Sequence, residues 1–259
     1  MKYIESRDNP LFRTFVRVSA GKGRDQVWLE GIHLCQAWLA HGSAAPQFAL
    51  FDANRLEHNT ELQTIYQSVP DRLKVILASS LMKTLSQVQQ GQGIVFIVAP
   101  PVAELPQRIE KTTLWLDRVQ DPGNMGTLLR TAVAAGIRSI YCSSGCAGVW
   151  SPKVLRSAQG AHFFLTLYEN CDLPALYGRL AIPLAAMTLT GSVSLYQANL
   201  PENIAWLAGN EGQGVLPELE AHAQLRIYIP QASGIESLNV ATATAVCLFE
   251  HRRRFLSGE

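Results

Sequence analysis

Residues 116–136 read LDRVQDPGNMGTLLRTAVAAG, and this stretch decides how the second half of the chain folds. The apolar run Thr113–Leu116 ahead of it reads as a buried strand. Asp121-Pro122-Gly123-Asn124 has the chemistry of a turn, because proline pre-sets φ and Asn and Gly accept the conformations that close one. From Gly126 to Ala135 the apolar residues recur at helical spacing. The expected unit is therefore strand, turn, helix, with Thr127 and Arg130 near the helix start and Arg130 about one turn in, pointing back to the loop. Beyond this unit, a strand is expected at Ser139–Cys142 and a helix near Pro152–Gly160. Further strands follow at Ala185–Met187, Ala205–Ala208 and Leu225–Ile229, and a last helix at Leu238–Arg253. Strands alternating with helices imply a parallel sheet covered on both faces.

The first hundred residues alternate in the same way on a smaller scale. Trp28–Gly42 reads as a helix closed by glycine, and Phe48–Phe51, Lys74–Leu77 and Ile94–Val98 read as short strands separated by more polar, helix-compatible segments. Prolines 100, 101 and 106 then interrupt the pattern by removing backbone donors and restricting their predecessors. The expected organisation is a small α/β domain over 1–99, a linker over 100–110 and a larger α/β domain over 111–259.

A composition of 47% hydrophobic and 17% charged residues permits a large core and argues against a disordered chain. The formal net charge is +1, which gives no global footprint for nucleic acid, so any such surface is a local patch. Five scattered cysteines without a CxxC pair or a histidine at ligand spacing support neither a zinc site nor a disulfide framework. The early charges of the N-terminus and apolar runs too short to cross a bilayer set the expectation of a cytoplasmic protein with no membrane partner and no metal.

Two further loops share the placement of the first, directly after a strand, where open α/β sheets bind ligands. One is Gly209-Asn210-Glu211-Gly212-Gln213-Gly214, whose glycines permit close backbone approach; it lacks the lysine of a P-loop and the GxGxxG spacing of a dinucleotide fingerprint. The other runs from Ile229 through Pro230 and Gln231 to Ser237-Leu238-Asn239, where Ser237 or Asn239 caps or lines the last helix. No GxSxG nucleophile elbow is present. Taken singly, these features fit a flexible connector and an ordinary helix cap.

Together, DPGNMGTLLRTAVAAG, GNEGQG and IPQASGIESLNVATATAVCLFE resemble, in order and spacing, the signature motifs of the SpoU (TrmH-like) family of RNA ribose 2′-O-methyltransferases in the SPOUT superfamily. Ser151–Ala161 is similar to the segment that family carries between its first two motifs. Ser6–Pro10, Gly21-Lys22-Gly23-Arg24 and Leu29-Glu30-Gly31 resemble the small ribosomal-protein-like α/β domain that many members place ahead of the catalytic one. The resemblance implies a deeply knotted parallel-sheet domain, S-adenosylmethionine as cofactor, ribosomal RNA as substrate and a homodimer. A catalytically silent RNA-binding protein of the same fold, or transfer RNA as substrate, stays open.

Carried over by motif, Asn124, Arg130, Glu211, Ser237 and Asn239 form the catalytic set. Gly209, Ile229 and Leu238 contact the cofactor, joined by Thr188 and Gly191 from the preceding loop. Arg13, Arg17, Lys22 and Arg24 form one RNA-binding patch and Lys153 and Arg156 a second. A guanidinium is almost never deprotonated, so Arg130 suits a phosphate clamp and stabiliser of developing alkoxide charge better than a base. Val240, Ala243, Val246 and Phe249 form an apolar stripe on the last helix, which the family uses in its dimer. Gln231, Val133 and the order Ser157-Ala158 depart from the usual pattern, which bears on substrate choice.

Overall fold

Asp121, not Gly126, starts the helix that organises the site. In the computed structural model, which describes residues 2–23, 25–234 and 237–256, the Asp121 side chain accepts from the Asn124 amide at 2.7 Å and Pro122 occupies the first helical position. The residues that read as a turn are a capped first turn, because proline's missing N–H costs nothing there and its fixed φ suits a helix. Arg130 consequently lies about 12 Å along the axis from that start, too far in to point back to the loop.

The chain divides into two compact units, one running to Val102 with Trp150–Leu155, the other Ala103–Val149 with Arg156 onward. The first unit contains β1 (Lys2–Ile4), α1 (Pro10–Ser19), β2 (Val27–Glu30), α2 (Ile32–His41), β3 (Phe48–Asp52), α3 (Ala53–His58), α4 (Thr60–Ser68), β4 (Lys74–Leu77), α5 (Ser79–Leu85) and β5 (Ile94–Val98). Trp28–Glu30, expected to be helical, is strand: Trp28 and Leu29 are buried and pair with Ile97 and Phe96. Gly31, at a φ of 106° that a side chain would resist, separates it from the helix. The sheet order is β1-β4-β3-β5-β2, with β5 antiparallel to its neighbours.

The rest of the chain continues with β6 (Thr113–Leu116), α6 (Pro122–Ala134), β7 (Ser139–Ser143), α7 (Pro152–Ala158), whose residues up to Leu155 count with the first unit, β8 (Thr166–Cys171), α8 (Leu173–Tyr177), β9 (Leu184–Met187), β10 (Val193–Ser194), β11 (Ala205–Ala208), α9 (Pro217–Ala221), β12 (Leu225–Tyr228) and α10 (Val240–Phe255). Its seven strands, in the order β10-β12-β9-β11-β6-β7-β8, are all parallel. β6 and β11 are wholly buried, as a parallel sheet covered on both faces requires. One core cluster joins Trp115, Tyr141, Leu184, Leu207 and Leu219. Because β12, β9 and β11 are parallel neighbours, the loops that leave them emerge at one edge, where crevices form in such sheets.

Candidate functional site

The loops after β9, β11 and β12, with the entry to α10, enclose a cavity of about 600 Å³, within the range for small-molecule sites. Its wall combines apolar Ile229, Leu238, Val240 and Ala243 with polar Thr188, Glu211, Gln231, Ser237 and Asn239.

Gly209 is glycine because of its own chain. A side chain there would overlap the backbone of Gly214 and Val215, which Asn210 and Gly214 hold against it by exchanging backbone hydrogen bonds of 3.0 and 2.9 Å. The Asn210 side chain closes the loop further, accepting from the Gly212 and Gln213 amides and donating to the Arg118 carbonyl at 2.9 Å. Glu211 is thereby turned toward α6, where Asn124 Nδ2 donates to it at 3.1 Å and the Gln120 and Asp121 amides add longer bonds. Partial burial would raise its pKa, but these donors outweigh that and hold the carboxyl below its ordinary value. Asn239 caps α10 by accepting from the Ala241 and Thr242 amides, and its Nδ2 donates to Asn124 Oδ1 at 2.9 Å. Asn239, not Ser237, is the cap.

Asn124 thus ties the glycine-rich loop to the start of α10. Glu211, Ser237 and Asn239 line the cavity, as do Thr188, Gly209, Ile229 and Leu238, whereas Gly191 and Arg130 do not. Arg130 is exposed and forms no hydrogen bond or ion pair among the described residues. Six residues past Asn124, it is rotated about 120° from that side chain around the helix. Arg13 and Arg17 lie on the exposed face of α1, Arg13 paired with Asp8 at 3.3 Å, and exposed Lys22 follows. Arg24 falls outside the described residues. Lys153 is exposed and Arg156 half-buried on α7.

A second network under the loop carries no motif. Asp117 is 0% exposed and accepts from the Arg118 guanidinium, Ser143 Oγ and the Leu216 amide. Arg118 holds a left-handed φ of 54° and donates onward to Gln213 Oε1 at 2.7 Å and to the Gly214 carbonyl at 3.3 Å. The sequence signal is a charged pair placed directly after a buried strand that ends in the apolar run Leu114-Trp115-Leu116.

Residues 111–249 match the family described as SpoU rRNA Methylase. The chain belongs to that family. A protein of Synechocystis sp. named as an uncharacterized tRNA/rRNA methyltransferase is 34% identical, with 97% of this chain and 93% of that protein covered. The 23S rRNA (guanosine(2553)-2′-O)-methyltransferase RlmP of Bacillus subtilis is 29% identical over 97% of this chain and 100% of its own length. Among solved structures, an AdoMet-bound rRNA methyltransferase from Sinorhizobium meliloti covers 99% of both chains at 26% identity, with a TM-score of 0.84. The α/β fold with its parallel sheet is accordingly the SpoU methyltransferase fold. No described helix is long and apolar enough to cross a membrane, and no cluster of metal-ligating side chains occurs among the described residues.

Proposed function

We propose that this SpoU-family chain is a cytoplasmic, S-adenosylmethionine-dependent methyltransferase acting on a ribose 2′-hydroxyl of ribosomal RNA. The observation that carries the reading is the cavity at the edge of three parallel strands, with the family's asparagine, glutamate and serine positions around it. Its volume and apolar wall suit the nucleoside of that cofactor. When bound, S-adenosylmethionine supplies a methyl group on a positively charged sulfonium.

The chain's own residues then divide the work. Glu211, held in its ionised form, is a weak base, and with Asn124 and Asn239 it fixes the loop and helix that shape the cavity. Ser237, an exposed residue of the cavity wall, would meet the incoming ribose. Arg130 stays protonated and serves by clamping the neighbouring phosphate and stabilising charge as the hydroxyl loses its proton. Because Arg130 does not line its own cavity, this role assigns it to the cavity of a second copy. A homodimer is supported by Phe249, 46% exposed on α10, while the face with Ala241, Thr244, Cys247 and Leu248 is already buried.

The knotted threading expected of the family is supported by the sheet order, in which the last strand, β12, lies between the earlier β10 and β9. The segment over 1–99 is read as the ribosomal-protein-like RNA-holding domain, with 100–110 as its linker and 111–259 as the catalytic domain. Arg13, Arg17, Lys22 and Arg24 would supply phosphate contacts there, Lys153 and Arg156 others; such contacts give affinity without sequence reading. Incubation with methyl-labelled S-adenosylmethionine and ribosomal RNA should place label at linkages resistant to alkaline hydrolysis. Label on a base would overturn the ribose assignment, and absence of transfer would favour a silent RNA-binding protein.

A further inference from the structure

The end of β7 runs into a turn, Cys142-Ser143-Ser144-Gly145-Cys146, in which Gly145 takes a φ of 89° and the last cysteine folds back on the first. The Cys142 thiol donates to the Cys146 sulfur. Cys142 is buried, as is Cys171 on the neighbouring β8, whereas Cys146 is only half-buried. As a thiol, Cys146 donates to the Leu116 carbonyl at 3.3 Å. As a thiolate it is met by the Cys142 thiol above all, then by the Val119 amide, the Ser143 hydroxyl and the Arg118 amide; these donors outweigh its burial and hold its pKa down to about 7. The shared bond, with burial, pushes Cys142 up, so that it stays a thiol. A partly exposed thiolate beside a protonated resolving thiol is the arrangement of an oxidation-sensitive cysteine.

We propose that Cys146 and Cys142 form a reversible thiol–disulfide pair, oxidised by hydrogen peroxide, whose closure loosens the cofactor cavity. The Cys146 thiolate attacks one peroxide oxygen, the O–O bond breaks, and the hydroxide that leaves takes up a proton to become water. Cys142 then attacks the resulting sulfenic acid; the S–S bond forms, the S–O bond breaks, and the Cys142 proton leaves with that oxygen as a second water. The two electrons lost by the thiols reduce the peroxide. The route to the cavity runs through the same turn. Ser143 Oγ donates to Asp117 Oδ1 at 3.2 Å and accepts from the Arg118 amide at 2.9 Å, and Arg118 holds Gln213 and the Gly214 carbonyl in the loop that lines the cavity. A disulfide draws the Cys146 sulfur away from the Leu116 carbonyl and the Arg118 amide, and so disturbs that chain of bonds. The effect on affinity rests on the S-adenosylmethionine reading above; the disulfide does not.

The test treats the full chain with hydrogen peroxide, blocks free thiols with iodoacetamide and digests with trypsin, which leaves both cysteines in one peptide, residues 139–153. Wild type should yield that peptide unalkylated and lighter by the two thiol hydrogens, and dithiothreitol should restore alkylation. Cys142→Ala, without the resolving thiol, should accumulate sulfinic acid on Cys146. Oxidation should accelerate hydrogen exchange in peptides spanning 209–216 and weaken calorimetric binding of S-adenosylhomocysteine about fivefold or more, the equivalent of one lost hydrogen bond. Peroxide should change neither readout in Cys146→Ser, shown by thermal melting to be folded. A Cys146–Cys171 link, or full alkylation of wild type after peroxide, overturns the pair. A complete disulfide with unaltered exchange over 209–216 overturns its hold on the cavity. Failure of reduced, folded wild type to bind the ligand overturns the cofactor reading alone, since peptide mass and hydrogen exchange still decide the switch.

Discussion

Replacing Asp117 with alanine tests whether the glycine-rich loop is held from beneath. The carboxylate is 0% exposed and accepts from Arg118 Nη2 at 3.1 Å, Ser143 Oγ at 3.2 Å and the Leu216 amide at 2.9 Å. Alanine strands all three donors and leaves a guanidinium without its counter-charge. Removal of one partner from a buried pair costs about 3–5 kcal/mol. The Arg118 side chain is 24% exposed, so water recovers part of this and the lower end, about 3 kcal/mol, is expected. At about 2–4 °C per kcal/mol for a chain of this size, the melting temperature should fall by roughly 6–12 °C. The damage should also be local, because Arg118 holds Gln213 and Gly214. Hydrogen exchange should accelerate in peptides spanning 209–216 and stay unchanged in those spanning 48–52 of the first unit. Asp117→Asn, which keeps the shape and one acceptor but loses the charge, should fall between wild type and alanine. If Asp117→Ala melts within about 2 °C of wild type and exchange over 209–216 is unaltered, the loop is held by something else.

Three further outcomes are expected. Arg130→Ala should lower kcat by about 10²–10³ with little change in cofactor affinity, and mixed dimers of Arg130→Ala with Glu211→Ala should regain activity by assembling one intact site; mixtures as inactive as their parents would exclude a contribution from the second copy. Gly209→Ala should weaken cofactor binding at least tenfold, since the added carbon meets the Gly214 and Val215 backbone and overpacking costs about 1–3 kcal/mol; undiminished affinity in calorimetry would show that the loop yields. Burial pushes His162 down to about 4, its bond to the Val149 carbonyl opposing only in part, so the fold favours the neutral ring; the associated stability, up to about 3 kcal/mol, is complete above about 6.5 and lost as pH falls toward 4. Denaturant midpoints measured across that window should drop in wild type and drop less in His162→Gln.

What the sequence disclosed and what it hid follow from how far each signal reaches along the chain. Buried strands such as Thr113–Leu116 and Ala205–Ala208 were legible because each is an almost wholly apolar run bounded by polar segments. Thr166–Cys171 was not, since this strand at the sheet's edge leaves Thr166, Glu169 and Asn170 exposed and so lacks an apolar run. The five-residue helices α8 and α9 are too short to show a period. Pro122-Gly123-Asn124 misled because the same residues that favour a turn also fit a capped first turn, and only the Asp121 side chain bonding the Asn124 amide separates the two.

The site divides along the same line. Its three loops could be found because each concentrates glycine, asparagine or serine after a strand. The groups that hold them could not, because Asp117 meets Ser143 and Leu216 across 26 and 99 residues of chain, separations at which no local pattern exists. Arg118 makes the point sharpest. A non-glycine residue at a φ of 54° sits in backbone space that costs of order 1–3 kcal/mol and persists only where the surroundings over-determine it. Here they do, because its amide is bonded to Ser143 at the end of β7, while its carbonyl and its guanidinium are both bonded to the glycine-rich loop. That backbone turn is what lets one side chain reach from the end of β6 to the loop that follows β11, so the strain and the shape of the cavity have a single origin.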